Sequence, residues 1–187
     1  MLDRIVEAFN KPLLRVSLFI GLLAGAACFA FFLVLYAMDV VPLGNNKAPD
    51  FGFHILFMAV ACWYYRNRVQ QGWMHLWEGL TICYVVNTVA AFVNGWLIYG
   101  FVAWIDPTVF TDYSAQMNEL LLSGKAELIK NIGEADYQKM LQDVQETKPG
   151  QLITDEISKK TLLAVLPIII IALIFRKQPP ILREYST

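Results

Sequence analysis

Four long uncharged runs divide this chain, and every arginine lies in a gap on the same side of them. Arg4 and Arg15 precede the first run, Arg66 and Arg68 separate the second from the third, and Arg176 and Arg183 follow the fourth. The other two gaps contain no arginine. About 20 apolar residues suffice to cross roughly 30 Å of hydrocarbon. Lys and Arg near the ends of such helices are retained on the cytoplasmic face. The pattern therefore predicts an all-α membrane protein: a four-transmembrane-helix bundle with both termini cytoplasmic.

The runs differ in length. Val16 to Met38 gives 23 uncharged residues and Gly79 to Ile105 gives 27, enough to cross with tilt. Phe51 to Tyr65 and Thr161 to Phe175 give 15 each, which on length alone also suits a buried helix of a soluble protein. Their flanks favour spanning. Tyr64 and Tyr65 before Arg66 form an aromatic belt followed by a snorkelling cation. Pro49 suits a first helical turn. Thr154 is expected to cap the fourth helix, with Asp155 and Glu156 favourable for its dipole and Lys159 and Lys160 snorkelling outward. The expected spans are 13–38, 50–69, 77–105 and 154–176, with a cytoplasmic tail over 177–187. Ala26, Ala27 and Cys28 faintly match a lipoprotein cleavage site. The run is too long for a signal-peptide core of about 7–15 residues, so it is expected to stay.

Composition supports this reading. The 187 residues are 57% hydrophobic and only 17% charged, with a mean hydropathy of +0.47. A soluble domain is about 25% charged. No basic patch interleaved with aromatics suggests nucleic acid. Cys28, Cys62 and Cys83 lie inside apolar runs with no CxxC spacing and read as small hydrophobes.

The segment 106–153 between the third and fourth spans reads as an extracytoplasmic helical hairpin. Tyr113, Met117, Leu120, Leu121, Leu128 and Ile132 recur at helical spacing, Gly133 interrupts, and Tyr137, Met140, Leu141 and Val144 resume. Over Asp106 to Lys160, six lysines are outnumbered by ten acidic residues, and long acidic segments translocate largely regardless of charge. Two helices this short bury little core alone, so their apolar faces pack on each other, on the bilayer or on a partner. At the other end, Leu2, Ile5, Val6 and Phe9 share a face within the cytoplasmic segment 1–12, which suits either an interfacial helix or a frayed terminus.

Few residues suggest chemistry. Ser17, Gly21 and Gly25 form a small-residue stripe suited to close helix packing, within the chain or between two copies. Asn87 and Asn94 share a face of the third span and call for interhelical partners. With His54, placed near the outer surface, they are the candidates for a polar pathway. His75 lies at the opposite membrane face from His54, so the two cannot share a metal. Asp39, Glu78 and Asp106 mark helix ends, and no acidic residue is expected near the midplane, where proton-coupled transporters place one. Pro167 interrupts the fourth span and suggests a kink. Asp106-Pro107 reads as a boundary device, as do Arg15, Arg66, Arg68, Arg176 and Lys177. No phosphate-cradling glycine loop or nucleophile elbow occurs, so no catalytic, metal or cofactor residue is assigned.

Several features together resemble a bacterial family known as domain-of-unknown-function family 4199. They are the Tyr64-Tyr65-Arg66 end of the second span, the Gly72-Trp73 turn, and the Glu78-Gly79 entry to a long third span. The closing Ile105-Asp106-Pro107, the charged helical segment and a last span ending in Arg176-Lys177 complete the set. The resemblance implies a four-span inner-membrane protein and carries no activity. The expected role is a non-enzymatic accessory, scaffold or assembly subunit of an envelope complex, with the lipid bilayer and a membrane protein or second copy as partners. The alternative is a small transporter or channel subunit that forms its pathway on oligomerisation.

Overall fold

The computed structural model describes residues 11–178. The face formed by Leu2, Ile5, Val6 and Phe9, and the tail bearing Arg183, lie outside the described residues. Among the described residues the α-helices are α1 (Pro12–Ala37), α2 (Phe51–Tyr64), α3 (Leu76–Gly100), α4 (Thr108–Ser123), α5 (Lys125–Ile132), α6 (Glu134–Glu146) and α7 (Gln151–Phe175). A 3-10 turn, Gly44–Asp50, leads into α2, and π-helical turns extend α2 over Tyr65–Val69 and α3 over Phe101–Ile105. No strand forms among these residues; Met74 and Lys177 make an isolated antiparallel bridge.

Among the described residues, three helices are long and apolar enough to cross a membrane: Pro12–Ala37, Leu76–Ile105 with its π turn, and Gln151–Phe175. The second expected span is shorter, because α2 has 14 residues before its π turn begins. Large apolar side chains such as Phe19, Phe92, Leu166 and Ile170 point away from the core and stay exposed. In water such a surface would drive aggregation; in lipid it is the natural exterior.

The helices alternate in direction. Leu13 of α1, Tyr65 beyond α2, Cys83 of α3 and Ile171 of α7 share one core cluster. Phe32, Leu43, Ile98, Phe101 and Val109 share a second. The start of α1, the end of α2, the start of α3 and the end of α7 therefore meet at one end. Arg15, Arg66, Arg68, Arg176 and Lys177 belong to that end. There the Met74 and Lys177 backbones bond reciprocally at 2.9 and 3.0 Å, and Arg66 Nη1 donates to the Phe175 carbonyl at 3.4 Å.

α3 is the central helix, packed along α1 on one side and α7 on the other. Gly21 and Gly25 sit where α1 crosses it. A methyl group at either position would come within 2.8 Å of Val89 or Val93 Cβ, closer than real side chains approach. Ser17 is buried on the same stripe, and its hydroxyl donates to the Leu13 carbonyl of its own helix at 2.7 Å.

Two local expectations need correction. Thr154 does not cap α7: the helix begins at Gln151, and the Thr154 hydroxyl donates back to the Gln151 carbonyl at 2.9 Å. Gln151 itself takes the Lys148 N–H on its side-chain oxygen at 2.9 Å, which lets the helix start a turn early. The segment 106–153 has three helices where a two-helix hairpin was expected, because the chain breaks at Gly124 as well as at Gly133. Gly133 has φ +87°, a left-handed value that only glycine adopts freely. Tyr137 of α6 is buried against α4 and donates its hydroxyl to the Leu121 carbonyl at 3.4 Å. α7 runs through Pro167 without interruption.

Candidate functional site: a buried ring of alternating charge

Two short charged spacings, far apart in sequence, meet at the end of the bundle opposite the arginines. In the 3-10 turn, Lys47 and Asp50 are three residues apart, and their side chains pair at 3.2 Å. On the first turns of α7, Glu156 and Lys160 are four apart and face the same way, at 3.8 Å. Glu156 Oε2 accepts from Lys47 Nζ at 2.6 Å. Lys160 Nζ closes on Asp50 Oδ1. The result is a closed ring, Asp50–Lys160–Glu156–Lys47, in which each charge lies between two of the opposite sign and the net charge is zero. Asp50 has no solvent exposure, and Lys47 and Lys160 are each 6% exposed.

This arrangement corrects one expectation. Lys160 does not snorkel outward but turns into the bundle, with its ammonium 5.6 Å from the centre of the Phe51 ring. Taking charges out of water is costly, and the mutual attraction offsets this only where geometry and hydrogen bonding are good. For Lys47, in the turn outside the long helices, burial pushes the ammonium below its usual range, and the Glu156 carboxylate pulls it back.

The asparagines belong to the same site. Asn94 Nδ2 donates to Glu156 Oε1 at 2.8 Å. This contact needs α3 and α7 to lie close, and Gly95 permits it: a Cβ there would sit 3.3 Å from Ile153 Cα. Below the ring, Asn87 Nδ2 donates to the Lys160 carbonyl at 3.4 Å, and Asn87 Oδ1 lies 2.9 Å from His54 Nδ1. His54 is thus fully buried one turn beyond Asp50. The short turn before α2 brings Asp50 itself inside, so the next helical turn is deeper still. His54 Nε2 and Asn94 Oδ1 are buried without a hydrogen-bond partner. Cys28 contributes a weak S–H contact to the Asp50 carbonyl at 3.6 Å.

Beneath Asn87 and His54 the interior turns apolar. Met58, Ala61, Cys62, Ile82, Cys83 and Val86 form a fully buried layer. On its far side a second polar group appears at the arginine end. Glu78 accepts from the His75 backbone N–H at 2.7 Å, from Tyr65 Oη at 3.0 Å and from Gln70 Nε2 at 2.9 Å. Asp106 works at the opposite end of α3. Its carboxylate accepts from Tyr36 Oη at 2.8 Å, and from the Thr108 N–H and hydroxyl at 3.0 and 2.6 Å. Pro107 then leads into α4.

What this arrangement offers chemically is a cluster of closely paired charge. Lys47, Asp50, Glu156 and Lys160 were missed from sequence. The available signal was the pair of like-spaced opposite charges, Lys47/Asp50 and Glu156/Lys160, each abutting a short apolar run.

One family matches: residues 20–177 fit the family described as "Protein of unknown function (DUF4199)". The chain belongs to this family. The match takes in the 3-10 turn, all of α2 to α7, and therefore every member of the ring. No curated protein and no solved structure matches the chain.

Proposed function

We propose that this family member crosses a bacterial inner membrane four times, as a non-enzymatic accessory, scaffold or assembly subunit of an envelope complex. Both termini are then cytoplasmic, and α4 to α6 form an outward, extracytoplasmic cap. In this reading α2 and its π turn cross together, 19 residues rising about 28 Å at 1.5 Å each. The confinement of arginine to one end supports the direction.

The observation that carries the role is the closed, neutral ring separated from the opposite polar group by an apolar layer. A pathway for a solute or ion needs polar groups in succession and a charge free to be exchanged. Here each charge is matched within the chain, and Met58, Cys62 and Ile82 block the way onward. Such a ring holds the outer end of the bundle in one arrangement. A rigid outer end presents α4 to α6, where Leu120, Leu122, Ile132 and Met140 remain exposed.

Gentle native purification followed by mass spectrometry tests this. A reproducible membrane-protein partner is expected, lost when Leu122 and Ile132 are changed to Asp. Transport of a solute, or turnover of a lipid, by the purified protein alone in liposomes would sink the proposal. The second reading, a transporter or channel subunit, draws on the buried unpartnered His54 Nε2 and Asn94 Oδ1. It requires the apolar layer to open in an oligomer.

A further inference from the structure

A cleft of about 500 Å³ lies against the ring, between the 3-10 turn, α4 and the first turns of α7. Its inner wall carries Lys47, Asp50, Glu156 and Lys160, and Asp155 and Lys159 stand at its edge. Its other walls are apolar, including Leu43, Met117 and Leu152. Leu162 and Leu163 also line it, and they are 76% and 57% exposed. These two leucines continue into the oily outer face of α7, where Leu166 and Ile170 are exposed as well. The cleft therefore joins a charged wall to the surface that faces hydrocarbon. Only an amphiphile satisfies both.

We propose that this cleft binds the headgroup of a zwitterionic phospholipid. Three cations (Lys47, Lys159, Lys160) and three anions (Asp50, Asp155, Glu156) line it, so the site has no net charge with which to prefer an anionic lipid. Opposite charges stand side by side, as a zwitterion requires. The phosphate meets Lys159 and the ammonium meets Asp155, the exposed pair at the cleft's edge, while the buried ring behind them keeps its own ion pairs. A volume of this size suits one small-molecule group and is too small for two acyl chains. The chains lie outside, along Leu162, Leu163 and Leu166. The inference rests on the bilayer placement proposed above but not on the scaffold role.

The test uses the full chain, delipidated in detergent and titrated by native mass spectrometry. The probes are phosphatidylethanolamine, phosphatidylglycerol and water-soluble phosphoethanolamine. The phosphatidylethanolamine lipid should bind about tenfold more tightly than the glycerol lipid, and soluble phosphoethanolamine only weakly. Asp155 and Lys159 are exposed and pair only with each other across one helical turn, so D155N/K159Q should fold normally. It should lose most of the preference. Met117→Trp, which fills the cleft from α4, should lose it too. Equal binding of the two lipids, or an unchanged preference in both variants, overturns the proposal and leaves an annular lipid only. A partner captured without lipid preference would spare the scaffold reading while removing this one. Lipid preference with no partner would do the reverse.

Discussion

The two ends of the bundle are both tied by carboxylates, but by opposite means. At the arginine end Glu78 gathers His75, Tyr65 and Gln70, all within 13 positions of it in sequence. It accepts neutral donors at a helix start, and it needs no buried counter-ion. At the other end Asp50 and Lys160 are 110 positions apart, and Lys47 and Glu156 are 109 apart. These groups are ions, shut away from water, and each depends on the others. A local knot fixes a turn. A long-range ring fixes which helices are neighbours, because its Asp50–Lys160 and Lys47–Glu156 pairs form only once α7 lies beside the turn that leads into α2. The difference predicts unequal sensitivity to substitution.

The largest effect should come from breaking the ring. Asp50→Ala leaves Lys160 buried between Lys47 and a single distant carboxylate, and Lys160→Met does the converse to Asp50. Removing one partner of a buried pair costs about 3–5 kcal/mol, since it strands a charge. Thermal unfolding in detergent should show either variant strongly destabilised. The double variant D50L/K160M should recover much of the loss, although Lys47 and Glu156 would remain to pair alone at 2.6 Å. If the singles match wild type, the ring is not what holds this end together.

Next comes the close approach that lets the ring form. Gly95→Leu pushes α7 away from α3 beside Asn94, and Gly25→Leu does the same between α1 and α3. Overpacking of this kind costs about 1–3 kcal/mol. The two should differ in kind. Gly95→Leu separates Asn94 from Glu156 and so should lower the benefit of an intact ring in a double-mutant cycle with Lys160→Met. Gly25→Leu, on the far side of α3, should add independently of Lys160→Met.

Much of the helical layout was legible because apolar run length and charge placement follow from hydrocarbon thickness and backbone hydrogen bonding. The helix starts near Pro12 and Leu76 and the break at Gly133 were visible for the same local reasons. The ring was not legible, and the cause is specific. The apolar runs were measured from Phe51 and Thr161, the residues just after Asp50 and Lys160. Expecting Lys160 to snorkel outward assumes that a charge beside an apolar run faces water. Here both charges face inward and cancel. Which of several ions on a helix flank turns inward depends on a partner about 110 positions away, and one-dimensional periodicity holds no information on that. Asn87 and Asn94 were recognisable as residues needing partners, but not that Lys160 and Glu156 would supply them.

A middle-sized effect is expected at the local knot. Glu78→Gln keeps the shape of the side chain, but one of its two acceptor oxygens becomes an amide N–H2 that cannot accept, and the contacts to the other oxygen weaken. Charge-assisted bonds are roughly twice as strong as neutral ones, so the loss should be about 1–2 kcal/mol in total. It should fall mainly on the turn between α2 and α3. Hydrogen exchange should show faster opening at Gln70 to His75 with little change near Lys47. Comparable loosening at both ends would mean the knot and the ring are coupled through the apolar layer, against the picture of two separate ties.

The smallest effect concerns Asp106, half-buried just beyond the C-terminal end of α3, and it is a pH effect. The Thr108 hydroxyl, then the Tyr36 hydroxyl and the Thr108 N–H, hold its carboxyl below the usual range. A folded-state value below the unfolded one means that the unfolded chain binds the proton first. The stabilisation is therefore fully present above the ordinary carboxylate range, near pH 4, and is lost as pH falls through the lowered folded value. Other carboxylates titrate in the same window, so only a difference isolates this one. The thermal midpoint of wild type minus that of Asp106→Asn should be small and positive at pH 6 and should shrink toward zero as pH falls below the ordinary carboxylate range. Tyr36→Phe should reduce the same difference, because it removes the bond that joins the end of α1 to the start of α4. A difference that grew on acidification would have the wrong sign for a carboxylate held in its charged form.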